Sequence, residues 1–349
     1  MIRVGLVGCG RIADLHFEAY RNNSEAAVAA ICDVDADLLA ARKRDWGVVR
    51  AYGEYRDLLD DGEIDAVEIV TPQTVHEPMV LAAAAAAKNI AVQKPMTSSL
   101  ESADRMLDAV SKAGVVYKVT DNYLSYPPLV LAKRLLDEGV IGEPSTMRMK
   151  FTGGAWQGGW DVPAATWGWR CEEVAAGRGI QTFDHGHHMW ATAWRLLGDF
   201  ERVSAWVDSV DGMIDCPSVI MWKHKGGKRY GVCDYAQAFD LAIPTKYYSC
   251  DEWFEVTGSA GIILVRRCTG RIQEGPAVSV FTSAGWEHHD VESDWASGFE
   301  GAARNFVGAI RGEEAPLLSG TQAREVLRFA LALRRSSDEG RTIEMEEMG

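Results

Sequence analysis

The chain has little of what marks several protein classes. Its 349 residues include seven cysteines, an odd number, and no C-x-x-C pair. A disulfide scaffold or a cysteine-rich zinc site is not expected, and a reducing cytoplasm suits this usage. Basic charge is also scarce. Thirty-six Lys and Arg stand against fifty Asp and Glu, a net −14 at pH 7. Nucleic acids and anionic membranes need a basic face, so neither is an expected partner. The longest apolar run, Met79–Ala87, ends at Lys88. A bilayer span needs about 20 such residues. The opening MIRVGLVG begins as a strand and has no secretion-signal layout.

What is present is the balance of a globular protein, 47% hydrophobic and 25% charged. At about 150 residues per domain, two domains are expected. Short β-rich runs occur at Arg3–Val7, Ala27–Cys32, Ala66–Val70, Ile90–Gln93 and Val115–Val119. Helix-like stretches separate them at Ile12–Asn22, Ala36–Trp46, His76–Ala87 and Leu100–Ala113. This alternation predicts a parallel sheet covered on both faces. The six alanines Ala82–Ala87 read as tight helix packing.

After Pro127-Pro128 the pattern changes. One more helix is expected at Leu129–Glu138, then longer strands at 145–152, 202–210, 219–224, 229–239, 252–256 and 261–266. The turns Lys225–Lys228 and Gly258–Gly261 point to antiparallel pairing. A helix is expected near His187–Leu197 and two more near Gly298–Ile310 and Thr321–Arg335. The predicted fold is an α/β nucleotide-binding domain over 1–122, followed over 123–349 by an α+β domain with a large, mostly antiparallel sheet.

The first strand runs into Gly8-Cys9-Gly10-Arg11-Ile12-Ala13, a G-x-G-x-x-A turn. Gly8 permits the tight turn, Gly10 lets a pyrophosphate approach, and Ala13 lets the helix sit close to the strand. The helix N-terminus favours phosphate. Asp33 ends the second strand, where a carboxylate binds a ribose 2′-OH. It repels the 2′-phosphate of NADP, and Asp35 adds charge of the same sign, so NAD is expected over NADP.

Gln93-Lys94-Pro95 follows one strand, and Thr71-Pro72 with His76 follows another. Such strand ends are where open α/β sheets bind ligands. Further on stands Asp184-His185-Gly186-His187-His188. On a helix, Asp184 and His188 share a face, and a carboxylate beside an imidazole builds a general base. A metal site is not expected, since no Glu or Cys stands nearby to complete one. Eleven of the twelve tryptophans follow residue 150. Trp156, Trp160, Trp167 and Trp169 crowd a glycine-containing, loop-like segment that reads in part as a sugar-stacking wall.

Taken in order, these motifs resemble the glucose–fructose oxidoreductase/inositol dehydrogenase (Gfo/Idh/MocA) family over essentially the whole chain. They are G-x-G-x-x-A, Asp33, Thr71-Pro72 with His76, Lys94-Pro95, Trp169-Arg170, Gly177-Arg178-Gly179 and Asp184-x-Gly186-x-His188. The resemblance implies an NAD-dependent oxidoreductase acting on a sugar or cyclitol CH–OH group. It implies that Lys94, Asp184 and His188 surround the reacting carbon and that Asn122 joins the cofactor site. Trp156, Trp160, Trp169 and Arg170 would line the substrate, and the protein would form a homodimer or homotetramer through its large sheet. Two departures stand out. Gln93 replaces the usual Glu before the lysine, and an extra residue precedes Asp184, which leaves His187 as the alternative base. Transient NAD use in elimination or glycoside cleavage, or metabolite sensing without catalysis, are the rival functions.

Overall fold

The computed structural model describes residues 1–21, 23–155 and 157–349; Asn22 and Trp156 lie outside the described residues. The chain divides into two compact units, Met1–Ser125 with Ala296–Leu327, and Tyr126–Trp295 with Arg328–Gly349. A single cut at 122/123 does not express the return of 296–327 to the first unit. The return is cemented by a buried lysine, Lys118, whose Nζ donates to Ala302 O and Asn305 Oδ1.

The first unit alternates strands and helices: β1 (Ile2–Val7), α1 (Ala13–Arg21), β2 (Ala26–Cys32), α2 (Ala36–Trp46), β3 (Arg50–Tyr52), α3 (Tyr55–Asp60), β4 (Ala66–Ile69), α4 (His76–Ala85), β5 (Asn89–Gln93), α5 (Leu100–Ala113) and β6 (Tyr117–Thr120). The strands form one parallel sheet in the order β3-β2-β1-β4-β5-β6. That is the dinucleotide-binding order, with its switch point between β1 and β4. Local chemistry sets the helix ends. Asp35 caps α2 by accepting from Asp37 N and Leu38 N, and Gly47 ends it in the left-handed region. Ser99 and Gly114 do the same for α5. β3 and α3 escape the sequence reading because a three-residue strand and a six-residue helix carry almost no periodicity.

The second unit holds α6 (Pro127–Asp137), β7 (Pro144–Ala155), α7 (Ala164–Ala175), α8 (Gly186–Leu197), β8 (Phe200–Val207), β9 (Ser218–His224), β10 (Tyr230–Ala242), β11 (Cys250–Gly258), β12 (Gly261–Val265), β13 (Val278–Thr282) and β14 (Gly285–His289). The chain ends with α9 (Ala296–Ile310), in the first unit, then α10 (Gly320–Glu339) and β15 (Ile343–Glu344). The nine-stranded sheet runs β14-β13-β12-β11-β7-β10-β9-β8-β15. Among the described residues, only β7 and β10 of this sheet pair in parallel; both expected hairpin turns close antiparallel pairs. On its helix side Trp190, Phe200, Trp222 and Phe329 interlock, with Phe200 and Phe329 stacked 3.9 Å apart. Trp206, Val219, Met221 and Tyr230 stand exposed on β8–β10.

Two expectations need correction. Trp167 and Trp169 are not in a loop but on α7, whose glycine and tryptophans hid its helical pattern. Asp184 and His188 do not share one regular α-helix. Asp184 lies in a π-helical turn, Ile180–His185, and His188 in the α-helix that follows.

Candidate active site

The nucleotide turn is built by backbone shape. Gly8 sits at φ +93°, and a Cβ there would stand 2.8 Å from the Val70 carbonyl oxygen. Only glycine meets both demands. A Cβ on Gly10 would meet nothing within 4 Å, so the turn is open where a pyrophosphate needs room. Arg11 is exposed, Ile12 half-buried, and Ala13 fully buried against Leu6, Cys9 and Ile31.

Asp33 is held in place by its neighbours. Its Oδ2 accepts from Cys9 N at 2.6 Å and its Oδ1 from Asp35 N at 2.8 Å. The carboxylate is thereby locked beside the glycine turn. Arg42 is the nearest following cation, but its charge is already paired. It lies 2.6 Å from Asp14, donates to Cys9 O, and stacks over Trp46 at 4.9 Å. Asn122, at the end of β6, is buried, and its Nδ2 has no hydrogen-bond partner among the described residues. An unspent donor, an open glycine turn and a fixed carboxylate fit a dinucleotide.

Lys94 leaves β5 half-buried, and its peptide bond to Pro95 is cis. Its N–H donates to Gln93 Oε1 at 2.8 Å. His76 braces this loop from below. It is fully buried, with Nδ1 2.9 Å from Pro95 O and Nε2 2.8 Å from Thr71 O. Burial pushes its imidazole down to about 4, so the neutral ring donates to one of these two carbonyls and packs against the other, between the Thr71-Pro72 and Lys94-Pro95 loops.

In the second unit, the π-helical turn is pinned by Asp215, a residue the sequence reading missed. Its Oδ1 accepts from Gln181 N at 2.6 Å, and its Oδ2 from Thr182 N and Thr182 Oγ1. A Cβ on Gly179 would stand 1.9 Å from that carboxylate, so Gly179 makes the approach possible. Asp184 ends the turn with its N–H on Gly179 O, and its carboxylate lies 3.5 Å from Arg170 Nη2. Arg170 packs within 6 Å of both the Trp167 and Trp169 rings. Gly186 lets the Trp190 indole close in; Trp190 Nε1 then donates to Thr182 O at 2.9 Å.

The three histidines of this cluster differ. His187 is buried, with Nδ1 2.5 Å from Phe183 O in the preceding turn. His185 pairs with the buried Glu252 at 2.8 Å. His188 is buried, its ring 5.7 Å from that of His185. Glu252, from β11, was also missed; nothing in its local sequence marks it. Trp160 packs edge-on against Tyr247, Tyr248 and Trp295. Trp156 is outside the described residues.

The chain is similar to known proteins along its length. An oxidoreductase family model with an NAD-binding Rossmann fold matches residues 2–121, and the GFO/IDH/MocA C-terminal domain matches residues 129–264. The D-apiose dehydrogenase of Paraburkholderia graminis is 26% identical, covering 98% of this chain and 89% of its own. The myo-inositol 2-dehydrogenase of Thermotoga maritima is 26% identical over 99% of both chains. Among solved structures, an oxidoreductase from Agrobacterium radiobacter, in complex with NAD+, L-tartaric acid and magnesium, superposes with a TM-score of 0.85. It covers 100% of this chain and 99% of its own at 24% identity. A levoglucosan dehydrogenase in complex with NADH and levoglucosan covers 98% of each chain at 23% identity and a TM-score of 0.82.

Proposed function

The chain belongs to the Gfo/Idh/MocA family of NAD(P)-binding oxidoreductases, and from that premise we propose that it is an NAD-dependent dehydrogenase of a sugar or cyclitol. The observation that carries the cofactor choice is the locked Asp33 carboxylate beside the glycine turn, with the nearby Arg42 already spent on Asp14. Such a carboxylate accepts from a ribose 2′-OH and repels a phosphate there. The substrate class rests on the apiose and inositol dehydrogenases among the relatives.

Bound NAD would supply the hydride acceptor for the hydroxyl-bearing carbon. Gly8, Gly10, Arg11, Ile12 and Ala13 would hold its phosphates, Asp33 its ribose, and Thr71, Pro72 and Asn122 the strand-end side of the site. His76 would act by bracing. His188 takes the hydroxyl proton as general base, since neutral imidazole titrates near neutrality. Lys94 stabilises the developing oxyanion. Asp184, paired with Arg170, orients the imidazole, and Trp160, Trp169 and Arg170 contact the sugar.

A panel of aldoses and cyclitols with NAD, followed by NADH absorbance, tests this reading. Steady NADH formation supports it. Substrate consumption without NADH assigns transient cofactor use instead, and tight NAD binding with no turnover on any substrate assigns a sensor. We also propose self-association through the exposed Trp206, Val219, Met221 and Tyr230 face, because soluble proteins rarely leave such faces open. Light scattering showing a monomer near 38 kDa at micromolar concentration would refute it.

A further inference from the structure

We propose that Gln93 is a positioning residue for Lys94, and that a buried Glu68–His16 pair fixes Gln93 by locking His16 in one neutral tautomer. The proposal rests on the catalytic role assigned to Lys94 above.

One bond in this group has a fixed polarity. The Lys94 backbone N–H, shared with Thr120 O at 3.3 Å, can only donate, so the atom of Gln93 facing it, at 2.8 Å, is the carbonyl Oε1. The other end of the amide, Nε2, then donates to His16 Nε2 at 2.9 Å. That nitrogen must carry a lone pair. The proton of a neutral ring therefore sits on Nδ1, which donates to Glu68 Oε1 at 2.6 Å. Glu68 Oε2 accepts from Tyr20 O–H at 2.5 Å. The relay thus has one direction, each donor pointing from the Lys94 amide inward to the Glu68 carboxylate.

The surroundings keep it so. His16, Tyr20 and Glu68 are almost completely buried, and Phe299 of α9 presents its ring to His16 at 5.0 Å, edge-on. Burial alone would push the Glu68 carboxyl up. The hydrogen bonds from His16 and Tyr20 and the charge of Lys118 on β6 oppose it and favour the carboxylate. Burial pushes Lys118 itself down to about 8, against the pull of Glu68, Glu314 and Asp121. All these groups belong to the first unit.

This explains the departure at position 93. A glutamate there would still accept the Lys94 N–H, but it could not donate to His16. The ring would need protons on both nitrogens and would stand as a cation between two carboxylates. Glutamine lets one buried carboxylate serve the whole relay and leaves an uncharged side chain next to Lys94.

Histidine labelled with ¹⁵N, read by NMR in the full-length protein with NAD, tests the lock. The His16 signals, assigned by their loss in His16→Gln, should show a neutral ring protonated on Nδ1 alone at pH 7. In Gln93→Glu both nitrogens should be protonated. Gln93→Ala should lower kcat roughly tenfold to a hundredfold, the scale of a misplaced reacting group, with NAD affinity unchanged. The Lys94 amide, left with only the longer bond to Thr120 O at 3.3 Å, should also exchange faster. Gln93→Glu, which keeps that bond, should restore the protection. A doubly protonated or Nε2–H ring in the unmodified protein overturns the proposal. So does Gln93→Ala with an unaltered Lys94 amide or wild-type turnover. If the unmodified protein turns over no substrate, the dehydrogenase reading fails by itself, and the ring and amide signals still decide the role of Gln93.

Discussion

The two units build their chemistry by opposite means. In the first, regular strands end in short turns, and the turns themselves are the site: Gly8 and Gly10 shape it, and Asp33 is fixed by amides at Cys9 and Asp35. In the second, the key segment is irregular, a π-helical turn held by a carboxylate from 33 residues further on. In the first unit the strand-end motifs that shape the candidate site can be read locally. In the second, the clamp residue Asp215 carries no local motif that marks it.

The sharpest test of the second unit compares its adjacent histidines. His188→Ala should lower kcat by roughly 10²–10⁴-fold, the usual contribution of a positioned base, with NAD affinity intact. His187→Ala should leave turnover nearly unchanged, because its Nδ1 is engaged with Phe183 O inside the helix entry. Steady-state kinetics on the pair decides; the reverse pattern would move the base to His187.

The clamp on the turn is next. Asp215→Ala removes an acceptor from two backbone N–H groups and a hydroxyl, all buried or nearly so. About 2–4 kcal/mol of stability should go, since bonds to a charged acceptor are among the stronger ones. Thermal unfolding measures it, and NAD affinity, seated in the other unit, should hold. An unshifted Tm would mean that the turn holds itself.

Each unit also buries a histidine whose ring is forced neutral. Burial pushes His76 and His224 each down to about 4. A folded-state value below the unfolded one, near 6.5, gives stability that is complete above pH 6.5 and lost as pH falls through 4. Each site accounts for about 3 kcal/mol of that loss. His76→Gln should flatten the acid limb of a Tm–pH curve by one site's share, and the double variant with His224→Gln by more. Identical acid limbs for all three proteins would rule this out.

The smallest effect concerns cofactor choice. Asp33→Ser should weaken NAD roughly tenfold, the loss of a bond or two to a charged acceptor, and leave NADP little affected, narrowing the preference. Asp35 is best left in place, because it caps α2, and its loss costs about 1 kcal/mol. Titration of each cofactor against both proteins reads the change. NADP binding as tight as NAD in the unmodified protein would refute the role of Asp33.

The same contrast explains what the sequence reveals. The parallel sheet, its strand-end motifs and the hairpins of the larger sheet are legible, because period, turn chemistry and capping all agree. Asp215 and Glu252 are not, because their meaning lies in residues 34 and 67 positions away. α7 is hidden by an unusual load of tryptophan and glycine. Gln93 is an intermediate case. Its departure from the family pattern is visible, but the reason lies with His16, 77 positions earlier in the chain.

The π-helical turn also acts as a phase adjuster. An α-helix advances about 100° per residue. A widened turn takes up one residue without disturbing the helix after it. The widened turn Ile180–His185 thus leads into α8, with His188 and Trp190, without breaking it. Deleting a single residue between Gly179 and Asp184 would let the turn tighten to α geometry and swing Arg178 and Gly179 around the axis, away from Asp215. One widened turn is here an angular setting.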